Sequence, residues 1–106
     1  MPSLYEAVSL SGLESLSCSV PVIGTRVGGI PEFVLHEDTG LLVEPRSPEA
    51  LADILITILA HPELRAYMSR RGRALAFEYY SCDPVARRTL DFYTHLAETK
   101  REGLQP

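Results

Sequence analysis

Two carboxylates and two glycines carry the chemistry of this chain. Glu6 ends the run Pro2-Ser3-Leu4-Tyr5-Glu6, and Glu14 follows at an E-x7-E spacing. Shortly after come Pro21-Val22-Ile23-Gly24-Thr25 and the pair Gly28-Gly29. An ionised carboxylate only accepts hydrogen bonds and can take two hydroxyl protons at once. One such group at the mouth of a helix and one inside it can both face a polyhydroxylated ligand. Glycines beside them allow a tight loop near that ligand.

The elements that must hold these residues follow from local pattern. Residues 9–18 put Leu10, Leu13, Leu16 and Ser17 at helical spacing, with Ser9 or Ser11 as the cap. Pro21 blocks continuation and biases Val20 to an extended conformation. Val22-Ile23-Gly24-Thr25 reads as a short strand buried on both faces. Gly28-Gly29 reads as a loop and Pro31 as the start of a short helix through Val34. Asp38-Thr39-Gly40 is a turn signal, followed by a second apolar run at Leu41-Leu42-Val43.

Ser47-Pro48-Glu49 supplies a cap, a proline at the first helical position and an acid in the first turn. Leu51, Ile54, Leu55, Ile58 and Leu59 continue as an amphipathic stripe expected to pack in the core. His61-Pro62 ends that helix. Two further helices are expected over 63–79 and 83–99, the second with Leu90, Tyr93 and Leu96 on one face. The alternation predicts an α/β fold with parallel strands. Two short strands are too few for an independent parallel sheet. The chain is therefore expected to be the C-terminal part of a larger domain, with upstream strands missing.

Composition sets limits on function. The 106 residues suffice for one small domain, and 45 % hydrophobic with 23 % charged residues is an ordinary globular balance. A net charge of −4 argues against nucleic-acid binding, which needs a basic face. No Lys or Arg precedes Arg26, so a diphosphate near the first helix would rely on backbone amides. Cys18 and Cys82 fit neither a zinc pattern nor a disulfide framework and read as buried or half-buried thiols. No apolar run approaches the ~20 residues of a membrane span, and no secretory signal opens the chain. A cytoplasmic or membrane-peripheral protein is expected.

The blocks Pro2-Ser3-Leu4-Tyr5-Glu6, Leu13-Glu14, Cys18, Pro21-Val22-Ile23, Gly28-Gly29-Ile30-Pro31-Glu32 and Thr39-Gly40-Leu41-Leu42-Val43 resemble the retaining glycosyltransferases of the two-domain GT-B fold. Their closest group is family 4, glycosyl transferases group 1. The likeness continues through Pro48-Glu49-Ala50-Leu51-Ala52 to Tyr93. It implies that residues 1–106 are part of the Rossmann-like C-terminal domain that binds a nucleotide-sugar donor such as a UDP- or GDP-hexose.

By position, the resemblance implies that Glu6 is the catalytic-site contact to the donor sugar and Glu14 the ribose ligand. It implies that the amides of Val8, Ser9 and Leu10 lie near the diphosphate, and that Gly28 and Gly29 shape the loop beside it. No metal or other cofactor is implied. Ser9 departs from the family's usual glycine, adding a Cβ where backbone approach or a positive φ would matter. Ser17-Cys18-Ser19 replaces the usual alanine-cysteine-glycine.

The acceptor-binding N-terminal domain is the partner the family implies, and without it the chain alone is expected to be inactive. A non-catalytic remnant or assembly module of the same ancestry is the alternative. Glu32 and Arg26 are weaker site candidates, and His36, His61 and His95 read as surface residues. Arg65, Arg70, Arg71 and Arg73 read as a solvated face rather than an anionic-membrane contact.

Overall fold

The computed structural model describes residues 1–104. Ser9, in extended conformation, caps helix α1 (Leu10–Ser17) by accepting the Gly12 amide on its hydroxyl at 3.1 Å. Strand β1 (Val22–Thr25) follows, then the short helix α2 (Ile30–Phe33) with its early proline. Strand β2 (Gly40–Val43) pairs with β1 in parallel, Val22 opposite Gly40 and Thr25 opposite Val43. All four β2 residues are buried, as expected for a strand covered on both faces.

The sheet does not stop at β1. The Met1 amine donates to the Ile23 carbonyl at 2.8 Å, and the Thr25 amide donates to the Met1 carbonyl at 3.2 Å. That bracket around Gly24 is the parallel ladder pattern. Met1–Ser3 thus lines the β1 edge opposite β2, and the Thr25 hydroxyl secures it on the Ser3 carbonyl.

Alternation along the strands divides the core in two. Val22 and Leu42 join Leu16 of α1, Ile30, Phe33 and Val34 in one cluster. Ile23 and Leu41 meet Ile54 and Ile58 of α3 (Pro48–Ala60), and Leu64 and Met68 of α4 (Pro62–Leu75), in the other. Helix α3 starts at the expected cap, with the Ser47 hydroxyl accepting the Ala50 amide. At Gly72 of α4 an added Cβ would lie 2.8 Å from Leu16 Cδ2, so α4 crosses close over α1.

Three expectations are corrected. The α3 stripe is only partly core: Ile58 is buried, but Leu55 and Leu59 are 43 % and 70 % exposed. The narrow sheet covers Ile54 and Ile58, while Leu55 and Leu59, one residue on in the same turns, are rotated about 100° away from it. The helix expected over 63–79 is α-helical only to Leu75, and Ala76–Tyr80 form a π-helical turn. The last helix, α5 (Cys82–Leu104), runs longer than expected and buries no residue, Leu90, Tyr93 and Leu96 included.

Candidate functional site

Backbone, rather than side chains, holds the Glu6 loop. The Gly29 amide donates to the Glu6 carbonyl at 3.3 Å. Gly28 has φ +52°, and a Cβ there would fall 1.5 Å from that same oxygen. A Cβ on Gly29 would fall 2.0 Å from the Ala7 carbonyl oxygen. Both glycines are thus required by the close approach of residues 6–7, and Glu6, Gly28 and Gly29 come together as one corner. Arg26 turns away from it into an exposed pair with Glu44 at 3.0 Å.

Ser9 sits at φ −98°, ψ 106°, a conformation open to any residue, so its Cβ introduces no strain. Its buried hydroxyl also lies 3.1 Å from Ser11 Oγ and 3.4 Å from Met1 Sδ. The serine is absorbed as a helix cap. The amides of Val8, Ser9 and Leu10 find no acceptor among the described residues. They open a helix N-terminus where unpaired amides and the dipole favour an anion.

Glu14 stands apart from the Glu6 corner. Leu10, Leu13, Glu14 and Ser17 form the stripe of α1 that faces the π-helical turn. Together with Ala76, Phe77, Tyr80 and Ser81 they line a groove of about 230 Å³. Glu14 lines this groove and Glu6 does not. Phe77, Tyr80 and Ser81 are neighbours that sequence reasoning did not single out. The one local signal was the aromatic cluster Phe77-Glu78-Tyr79-Tyr80 just before Asp83-Pro84.

Arg73 fixes one end of the groove. Its Nη1 donates to the Ser17 carbonyl at 2.6 Å and its guanidinium lies 4.6 Å from the Phe77 ring centroid. The Tyr80 hydroxyl donates to the Glu32 carbonyl at 3.0 Å, and burial, then the Glu32 carboxylate, push its ionisation above the ordinary tyrosine value.

The arginine run of α4 makes contacts within the chain. Arg65 donates to the Ile58 and Leu59 carbonyls, and Arg71 to both Asp38 oxygens at 2.8 and 3.2 Å. Arg73 donates to Ser17, and Arg70, Arg71 and Arg73 all remain exposed, so the run is a solvated face whose members also make local contacts. Cys18 and Cys82 are free but exposed, correcting the expectation of burial, because each sits at a helix boundary outside both core clusters. Among the described residues no group of three or more His, Cys, Asp or Glu side chains is placed to hold a metal. No described helix is long and apolar enough to cross a membrane.

The α/β layering and parallel strands are those of GT-B glycosyltransferases. The family model for glycosyl transferases group 1 matches residues 1–75, and the chain belongs to that family. It is 36 % identical over 98 residues to N-acetyl-alpha-D-glucosaminyl L-malate synthase of Bacillus anthracis, covering 92 % of this chain and 26 % of that protein. It is 39 % identical over 93 residues to D-inositol 3-phosphate glycosyltransferase of Saccharomonospora viridis, covering 88 % and 21 %.

Among solved structures, sucrose-phosphate synthase from Thermosynechococcus elongatus aligns with a TM-score of 0.83 at 34 % identity, over 92 % of this chain and 25 % of that one. The chain thus spans about a quarter of the length of the proteins it matches.

Proposed function

We propose that this chain is the donor-binding part of a retaining glycosyltransferase that transfers a hexose from a nucleotide sugar to a sugar, lipid or other acceptor. The observation that carries the reading is the glycine corner: main-chain contacts hold Glu6 beside the unpaired amides at the start of α1. The diphosphate of the donor would sit on the amides of Val8, Ser9 and Leu10, where the helix dipole favours negative charge. Glu6 would accept hydroxyl protons of the donor sugar, and Glu14 those of the ribose. Gly28 and Gly29 set the loop that keeps Glu6 in place.

The same residues limit what the chain does alone. Departure of a nucleoside diphosphate develops negative charge that preorganised cations stabilise. Arg26, the first cation in the sequence, is paired with Glu44. We therefore assign leaving-group stabilisation to Arg and Lys on the upstream strands of this domain, acceptor binding to an N-terminal GT-B domain across a cleft, and no metal to this half. The chain by itself binds donor without turning it over.

A ligand-observed NMR titration with UDP, GDP, ADP and their hexose derivatives tests this reading, with Glu14→Ala as the control. Saturation at millimolar or lower concentration that weakens in the variant supports donor binding. Absence of binding by all of them favours a non-catalytic module, a reading to which the exposed Leu55, Ile56 and Leu59 of α3 lend weight.

A further inference from the structure

Two hydrogen bonds pin the loop that carries Glu6, one at each end. At Glu6 itself the pin is the Gly29 amide on the carbonyl. Three residues upstream it is the Thr25 hydroxyl, which donates to the Ser3 carbonyl. Both donors belong to the single stretch 25–29. That stretch is in turn fastened to the sheet, the Thr25 amide donating to the Met1 carbonyl at 3.2 Å and the Arg26 amide to the Val43 carbonyl at 2.8 Å. Between the pins the loop has little packing of its own, because Leu4 is 49 % exposed and Tyr5 89 %. The anchors therefore decide how Glu6 is presented.

Packing alone does not call for a threonine at the end of β1. Thr25 is buried, and Pro2, Leu4, Val43 and Leu51 line the same groove beside it. Valine has the same shape and would suit that apolar setting, whereas a buried hydroxyl is costly unless it is hydrogen-bonded. The hydroxyl meets that need on the Ser3 carbonyl and makes no other bond among the described residues. Its contribution is thus to the loop and not to the core.

We propose that Thr25 is a positioning residue for donor recognition: by holding Ser3, it aims the Glu6 carboxylate at the hexose of the nucleotide sugar. The assignment rests on the donor-binding reading above and adds to it a residue that acts through Glu6 without touching the donor. The Gly29 pin sets where Glu6 stands, and the Thr25 pin sets the direction in which the chain reaches it. With the second pin gone, the loop is free to pivot about Glu6 and the carboxylate loses its aim. The start of α1 stays in place, since Ser9 is held apart from the loop by accepting the Gly12 amide. Loss of the Thr25 hydroxyl therefore weakens contacts to the hexose and spares those to the nucleoside diphosphate.

The test is calorimetry on the 106-residue chain with UDP beside UDP-glucose and GDP beside GDP-mannose. In the unmodified chain the hexose should add affinity to whichever diphosphate binds. Thr25→Val should weaken the sugar nucleotide about tenfold, through loss of one charge-assisted hydrogen bond, and leave the free diphosphate unchanged. Thr25→Ser, which keeps the hydroxyl, should bind both like the parent, and Thr25→Ala serves where valine disturbs the fold. Because the two residues act through one contact, adding Glu6→Gln to Thr25→Val should cost little beyond either change alone. If Thr25→Val weakens both ligands alike or neither, or if its effect and that of Glu6→Gln simply add, Thr25 is structural and this proposal alone falls. It falls too if the hexose adds no affinity. If the unmodified chain binds none of the four ligands, the donor-binding reading falls and takes this one with it.

Discussion

The Gly29 amide hydrogen-bonds the Glu6 carbonyl at 3.3 Å, joining two loops that are far apart in sequence. Because the contact is made by main chain on both sides, the Glu6 carboxylate takes no part in holding its own loop. The position of the side chain is set by residues 28 and 29, while its chemistry is free for a ligand.

Gly28→Ala should therefore be among the most damaging single changes in the chain. It combines a left-handed backbone, costing about 1–2 kcal/mol for a residue with a Cβ, with a Cβ placed 1.5 Å from the Glu6 oxygen. Thermal unfolding followed by circular dichroism should show a loss of more than about 10 °C. Amide shifts should concentrate at Glu6 and Ala7. A variant that melts like the parent would mean that the two loops do not touch.

Ser9 offers a contrasting case, since its side chain rather than its backbone conformation matters. Ser9→Ala removes the hydroxyl that accepts the Gly12 amide and should cost about 1 kcal/mol in urea unfolding. Ser9→Gly restores the family's usual residue and should cost only a few tenths of that. Equal, large losses in both variants would contradict the capping role.

Glu14→Gln separates binding from stability. The residue is exposed on α1 and makes no side-chain hydrogen bond among the described residues, so the folding stability should stay within about 0.5 kcal/mol of the parent. UDP or GDP affinity should fall about tenfold or more through loss of charge-assisted acceptance. Isothermal calorimetry beside a melting curve reads both quantities; unchanged affinity would remove Glu14 from the site.

Acid should act through Asp38. The Arg71 guanidinium, hydrogen-bonded to both its oxygens, holds this carboxyl below its ordinary value of 3.8, against the opposing effect of partial burial. A depressed folded-state value means the pair stabilises the fold above pH 3.8, and that this contribution fades as pH falls through the lower folded value. Asp38→Asn should thus lower the urea midpoint at roughly pH 6 and leave it level with the parent at roughly pH 2. A constant difference across that range would rule out the ion pair as its source.

The elements written in local signals were legible. Ser47-Pro48-Glu49 announces α3, Ser9 announces α1, and the two apolar runs announce β1 and β2 in their correct positions. What escaped depends on partners distant in sequence. The Gly28 contact with Glu6 is made by main-chain atoms, which leave no side-chain pattern to read. The widening at Ala76 escaped because apolar spacing does not distinguish a five-residue hydrogen-bonded turn from a four-residue one over so short a stretch.

The hydrogen bond of His36 was equally opaque. The residue is exposed, as its sequence context suggests, but its Nδ1 also accepts the Leu42 amide at 2.9 Å, substituting for a backbone acceptor at the β2 edge. Of the candidate site, the sequence names Glu6 and Glu14 by their spacing, whereas the groove that Glu14 shares with Phe77 and Tyr80 depends on a helix more than 60 residues away and leaves no local pattern.

Helix α5 buries none of its 23 residues, so its amides have nothing to protect them beyond the helix itself. In hydrogen exchange it should open and close on its own, at a free energy well below that of the layers around β1 and β2. A protease cutting there would shorten the chain without unfolding it. The groove wall at Ala76–Tyr80 would persist, because it is fastened through Ala76, Arg73 and Tyr80 rather than through the helix that follows.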